Sequence, residues 1–400
     1  YAREFDMTND SHLFAPRPEW EAKGYRPDEY GRWIGPEGDV ALPLDQGVMI
    51  GSLESNRARW IRGAGVRAEW EKGLLPGCAF EPQYLILHER VVLERPSALR
   101  TRILIRNIAR TTDERTLIGS PATAFPAGHS LAALSFENSD DLRAWSLSGV
   151  LGSFPFDWLL RQRLGGTNLS KEFLEEVAVA PPRDAGSIPG VVLPLAGTSA
   201  AFAQDWISWR NSLRESAVHA KAKPPLKIAI TLTGLRLRSL LDAVVAELYG
   251  LDFDDLAWIL RDCDHPAALL RDKSFCRTLD PKGFWRVDKE KDPELRHTVL
   301  SLAAFRDLKA IIAAHGGDRE KGIAAFCDAH DGDGWMLPET LRLADLGLGH
   351  DDRAREPQPV ASRLGERFLP WQLAQSVEES WAECERHAAI LGRGGPVASP

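Results

Sequence analysis

The chain has 400 residues, 44% of them hydrophobic and 26% charged, and a net charge of −8. That length exceeds one small core and predicts two or three domains of ordinary globular composition. The acidic balance excludes a chain that grips polyanions over its whole surface, so any nucleic-acid contact must be local. No apolar run approaches the roughly 20 residues of a membrane span and no signal peptide is visible, so no membrane partner is expected. The five cysteines (78, 263, 276, 327, 384) are scattered without a CxxC pair. Neither a zinc site nor a disulfide framework follows, and a cytoplasmic location fits.

Residues 1–40 are turn-rich, with Pro16, Pro18, Pro27 and Pro36 among charges, and little regular structure is expected there. Asp10, Glu21 and Lys23 stand near the spacing of a metal-dependent nuclease site, but the pattern is degenerate and reads as a solvated loop. PQYLILHERVVLER (82–95) predicts a strand over Tyr84–Leu87 that resumes at Val91–Leu93.

The next stretch, Leu99 to Ala124, alternates Thr101, Ile103 and Ile105 with Arg100, Arg102, Leu104 and Arg106, a period of two. The polar turn Thr111–Glu114 and the run Thr116–Ile118 complete a predicted hairpin. Five arginines (100, 102, 106, 110, 115) face only Asp113 and Glu114, so the stretch is locally basic. Arginines on a hairpin can hold phosphates or read guanine edges. The plain alternative is a solvated face with Arg110 and Arg115 paired to the turn carboxylates. On the first reading, removing Arg102 and Arg106 together weakens DNA binding without unfolding the chain.

From Trp145 to Pro182, Leu147, Val150, Leu151, Phe154, Trp158 and Leu159 recur at helical spacing as one apolar face. Gly165-Gly166 is expected to stop this helix in a left-handed turn. Thr167, Asn168 and Ser170 suit the cap of a short second helix, and an extended run Val177–Val179 closes on Pro181-Pro182. Arg161, Arg163 and Lys171 add charge here. The Gly-Gly-Thr-Asn turn could offer backbone N–H groups to a phosphate, or simply cap the helix.

Residues 183–225 contain a helical spacing of Phe202, Trp206, Trp209 and Leu213, then a linker at Lys221–Pro225. Further on, LRLRSLLDAVVAELYGLDFDDLAWIL (235–260) predicts a helix with Leu237, Leu240, Leu241, Val244, Val245 and Leu248 inward, a stop at Tyr249-Gly250, and a second helix on Leu256, Trp258 and Ile259. Its aspartates 252, 254 and 255 read as helix N-terminal charge. Asp331–Gly334 reads as a turn, because the spacing of a calcium loop fails.

Three phrases, NIARTTDERTLI (107–118), FDWLLRQRLGGTNL (156–169) and GFWRVDKEKDPELRHTVL (283–300), resemble the recognition part of adenine-specific DNA methyltransferases. The similar enzymes are those of type IIG restriction–modification and of phage-defence systems of the DISARM and BREX kinds. Residues 41–62 resemble the segment that enters their recognition domain, with Gly47, Met49, Ile50 and Arg57 matching; Val48 stands where the family has lysine.

The resemblance implies an α+β protein. An α/β target-recognition domain with a hairpin and an amphipathic helix would span 41–182. A connecting segment (183–225) and a mostly helical region (226–400) would follow, with 1–40 as linker or the end of a catalytic domain. It implies double-stranded DNA as partner, with other defence subunits possible. Arg100, Arg102, Arg106, Arg110, Arg115, Arg161, Arg163, Thr167, Asn168 and Lys171 would be the DNA-contacting candidates.

The chain has no Asn-Pro-Pro-Tyr motif to hold a flipped adenine, and its only late glycine-rich run is at 392–395. No catalytic or metal residue is therefore assigned. S-adenosylmethionine would serve the intact enzyme and not bind this chain. The start at Tyr1 predicts a fragment whose catalytic part lies upstream. Two alternatives are a stand-alone DNA-binding specificity subunit and a structural or interaction module without a nucleic-acid role.

Overall fold

A computed structural model describes residues 1–73, 80–122, 125–136, 141–180, 187–212, 231–365 and 374–392. The architecture is α+β. An antiparallel five-stranded sheet is built from β1 (Phe14–Pro16), β2 (Arg26–Pro27), β3 (Trp33–Ile34), β4 (Val40–Pro43) and β7 (Tyr84–Leu87), in the order β1-β7-β4-β3-β2. A two-stranded ribbon of β5 (Ala58–Arg62) and β6 (Glu69–Lys72) precedes β7. A three-stranded antiparallel sheet orders β8 (Arg102–Arg106) between β10 (Leu131–Leu134) and β9 (Gly119–Ala122).

Residues 1–40 are thus not the unstructured stretch their prolines suggest. They supply three strands and helix α1 (Arg17–Ala22), because short strands can start and end at prolines on a sheet edge. Asp10 accepts a bond from its own loop at Asp6 N–H, Glu21 pairs with Arg17, and Lys23 lies over Trp20, so each has a local partner. The strand expected to resume at Val91–Leu93 is instead helix α2 (His88–Glu94), which buries only Val91 and leaves Leu93 exposed.

The hairpin forms with a shifted register. Arg102–Ile105 pair with Ala122–Gly119, so the return strand starts after Ile118, and 107–118 form a long polar loop. Both faces of β8 are covered. Ile103 and Ile105 join the main core, whereas Leu104 packs with Ile50, Ala127 and Leu131. The N-terminal segment runs along β10, with backbone bonds from Ala2 N–H to Ala133 O and from Phe5 N–H to Ala127 O.

The apolar face expected as one helix from 147 to 159 is two helices, α3 (Asp141–Leu151) and α4 (Phe154–Arg163). Pro155 cannot sit inside a helix but is favoured in its first turn, and Ser153 Oγ caps the new start by accepting from Phe156 N–H. Neither Gly165 nor Gly166 takes a positive φ; α4 ends at Leu164 without a left-handed turn. The short α5 spans Lys171–Glu175 with Ser170 before it, and Val177–Val179 are not part of a sheet.

Helices α6 (Ile188–Ala196), α7 (Ala203–Ser212), α8 (Thr231–Leu248) and α9 (Phe253–Ile259) continue the chain. The inward residues foreseen on α8 are all buried. Gly250 ends it with φ +73°, and Asp252 and Asp255 form a reciprocal cap on α9. Trp258, expected inside, is 55% exposed, while Leu256 and Ile259 are buried. Long helices at His297–Ala314, Arg319–Gly332 and Val377–Gly392 make the rest mostly helical. One core cluster runs from Leu53 and Ile103 through Trp145, Phe154, Trp206 and Leu241 to Ala388, across the boundaries expected at 182 and 226. Leu213, Pro181-Pro182, the Lys221–Pro225 linker and nearly all of 392–395 lie outside the described residues. Among the described residues, no helix is long and apolar enough to cross a membrane.

Candidate nucleic-acid interface

Nine of the ten candidate residues separate into three groups, and Arg100 stands apart. Arg102 and Arg161 belong to the interior. Arg102 is fully buried; its Nε donates to Glu4 Oε1 (2.6 Å), and its Nη2 donates to Glu4 Oε2 (2.9 Å) and to Phe125 O. The basic face of the strand is covered by the chain's own N-terminal segment, which brings the compensating carboxylate. Removing Arg102 with Arg106 is therefore not a clean test of DNA binding, since it strands Glu4 in the interior.

Arg161 is also fully buried. Its Nε donates to Asp157 Oδ2 (3.1 Å), its Nη1 to Lys282 O (2.9 Å) and Gly283 O (3.2 Å), and its Nη2 to Asp113 O (2.8 Å) and Glu114 O (2.9 Å). Its face stacks on Phe284 at 4.0 Å. Asp157 in turn accepts from Thr116 N–H (3.0 Å) and Leu117 N–H (2.8 Å). This pair clamps the 113–117 loop and the 282–284 segment onto α4. A guanidinium with five planar donors suits such bridging, which lysine could not reproduce.

The second group is exposed and assembled by backbone bonds. Ala109 N–H donates to Thr167 O (2.9 Å) and Leu169 N–H to Asn107 O (2.8 Å). This antiparallel bridge between Ile108 and Asn168 joins two phrases sixty residues apart in the chain. Arg110, Arg163, Thr167, Asn168 and Lys171, all within a few residues of this bridge along the chain, are exposed, as is Ile108 at 58%. Arg110 and Arg115 make no ion pair with Asp113 or Glu114. Lys171 pairs with Glu175 at 3.2 Å in solvent, an interaction worth little. Helix α5 has five residues, too few for a strong N-terminal dipole, so the Gly-Gly-Thr-Asn turn offers polar groups rather than a helix-end phosphate site. On the outer side of α4 and α9, Trp158 meets Trp258 edge to face at 5.6 Å, and Arg261 lies over Trp258 at 4.2 Å.

Arg106 and Arg115, half-buried, form the third group, while Arg100 is exposed at the other end of β8. Six residues of extended chain set Arg100 roughly 20 Å from Arg106. The hairpin arginines thus do not form one exposed cluster: Arg100 and Arg106 lie at opposite ends of the strand, and Arg102 between them is buried. Burial, and next to it the charge of Arg57, lowers the Arg106 guanidinium to about 10. Sequence spacing gave no sign of Asp157 beside the 116–117 backbone or of Arg57 beside Arg106, because each joins through a tertiary contact.

No protein-family model matches the chain, and no curated protein or solved structure matches it.

Proposed function

We propose that this chain is the DNA sequence-recognition portion of a site-specific adenine-N6 DNA methyltransferase of a restriction–modification or phage-defence system, working in the cytoplasm. The observation that supports this reading is the bridge between residues 107–109 and 167–169. It joins two of the three phrases that carry the family resemblance, and Arg110, Arg163, Thr167 and Asn168 of those phrases are exposed while Arg161 is buried. Phosphate contacts from Arg110, Arg163 and Lys171 would set orientation, and Thr167 and Asn168 have the donors and acceptors to meet base edges. The chain holds no Asn-Pro-Pro-Tyr motif, so methyl transfer from S-adenosylmethionine belongs to residues other than these 400.

The test is binding of the 400-residue chain to a pool of random duplexes, followed by fluorescence anisotropy over a salt series. Binding should weaken steeply with salt. The Arg110→Ala/Arg163→Ala/Lys171→Ala variant should flatten the log–log slope by about 2 to 3, since each phosphate no longer neutralised lowers it by roughly 0.9. No binding at low salt would sink the proposal. The burial of Arg102 and Arg161 and the net charge of −8 favour a second reading, a protein-interaction module, and that outcome would select it.

A further inference from the structure

Among the described residues, most buried arginines spend their donors. Arg102 and Arg161 do so as described, and Arg296 donates to the carbonyls of Cys263, His265, Lys289 and Lys291. Arg57, Arg106, Arg115 and Arg238 differ. Arg115 lies 3.7 Å over the ring of Phe154, and its Nη1 is buried without a hydrogen-bond partner. Phe154 N–H donates to Asp242 Oδ1 (2.7 Å), and Arg238 stands one turn before Asp242 on α8. Arg106 has a buried Nε with no partner and only a long approach, 3.5 Å, from Nη2 to Val48 O. Arg57 N–H is bonded to Met49 O in the same loop. Leu53 seats against Gly152, just ahead of Phe154, so Glu54 acts on both Arg106 and Arg238. Among the described residues, none of the four guanidiniums has a carboxylate at ion-pair distance.

Glu54 offsets part of the charge on Arg106 and Arg238, but it is one carboxylate for four guanidiniums, and the other neighbouring carboxylates are engaged elsewhere. Asp242 already accepts from Phe154 N–H and Ser301 Oγ (2.9 Å) and lies 2.7 Å from His297 Nε2. Asp288 is held by Lys291 at 2.9 Å and accepts from His297 N–H. Burial, with Asp288 and Glu290 beside it, pushes the Glu114 carboxyl above its ordinary range against the opposite pull of Arg57 and Arg115. Burial and the nearby Arg115 also lower Arg238 to about 10. Leu53 (φ +53°) and Asp288 (φ +52°), both left-handed without being glycine, border the cluster. Such strain persists where surrounding structure holds it and gathers at functional sites. Partly desolvated guanidiniums with unspent donors are costly, and an oxyanion with several acceptors offsets that cost.

We propose that Arg57, Arg106, Arg115 and Arg238 form a binding site for a phosphate group at the seam of the 48–57 loop, the β8–β9 hairpin, α4 and α8. The phosphate can come from a DNA backbone or from a small phosphorylated molecule, and free phosphate tests the site whether or not the chain recognises DNA.

The experiment titrates the 400-residue chain with inorganic phosphate and with pyrophosphate at constant ionic strength, read by calorimetry and by thermal unfolding. Both should bind and raise the Tm. Arg115→Gln/Arg238→Gln should weaken binding at least about tenfold, since two charge-assisted bonds are lost. Should that variant not fold, Arg57→Gln alone, at the rim, should still weaken binding. Absence of heat and of any Tm shift in the unaltered chain overturns the proposal, as does equal affinity in folded variants. A duplex that displaces bound pyrophosphate identifies the source as DNA backbone. Phosphate binding that a duplex leaves untouched identifies a small molecule, and it removes the DNA reading of this seam while keeping the site.

Discussion

Replacing Arg161 by methionine keeps the volume and removes five donors from the interior. Four backbone carbonyls and one carboxylate oxygen lose their partner. Hydrogen bonds to charged groups contribute about 1.5–3 kcal/mol each, so five would sum to an implausible total. Two effects reduce it. Asp157 keeps its bonds from Thr116 and Leu117, and loop carbonyls near the surface can take up water. The relevant figure is that for breaking one partner of a buried pair, about 3–5 kcal/mol. Against a total stability of roughly 5–15 kcal/mol, this is severe. The assay is urea unfolding followed by tryptophan fluorescence, with Arg163→Ala as the control two residues along on the exposed side. Hydrogen exchange should rise at 113–117 and 282–284, the two segments the guanidinium holds. A loss below about 1 kcal/mol for Arg161→Met, or an equal loss for Arg163→Ala, would refute the clamp.

A second prediction concerns Asp45, which is buried beside Arg102 and Glu4. Burial pushes its carboxyl up to about 8, since Arg102 is already committed to Glu4. The native carboxyl keeps its proton where the unfolded chain has lost its own, so this group's contribution to stability falls as pH rises from about 4 to about 8. Asp45→Asn should flatten that dependence and stabilise the protein at pH 8; an unchanged stability profile from pH 4 to 8 counts against the assignment. Gly250 has φ +73° and open space around its α-carbon, so Gly250→Ala should cost about 1–2 kcal/mol through backbone strain alone. Gly234, inside α8 with equally open space, should give the opposite sign, a gain of about 0.5–1 kcal/mol on Gly234→Ala. A stabilised Gly250→Ala or a destabilised Gly234→Ala in thermal unfolding would contradict the respective prediction. Calorimetry with S-adenosylmethionine should show no binding to this chain; measurable heat would mean a cofactor site outside any recognised motif.

What the sequence determined by itself is local. Period 3.6 placed α8 and its six inward residues, Tyr249-Gly250 marked its end, and Asp252 the next start. Period two placed β8, and the Thr111–Glu114 turn sat in the correct loop. A local miss was also readable: Ser153 and Pro155 carry a cap and a first-turn proline, and they divide the helix that apolar spacing alone joined. Tertiary structure decided the rest. Whether Arg102 faces water depends on Glu4, nearly a hundred residues away, and on the N-terminal segment that covers its side of the sheet. Trp258 is exposed and Arg161 buried against their plain spacing, because helix periodicity says which residues share a face, not which face is covered. The pairing of 107–109 with 167–169, and the meeting of Arg57, Arg106, Arg115 and Arg238, leave no local pattern at all. Charges brought together by chain segments 50 to 180 residues apart answer to packing and desolvation, which exist only once the chain has folded.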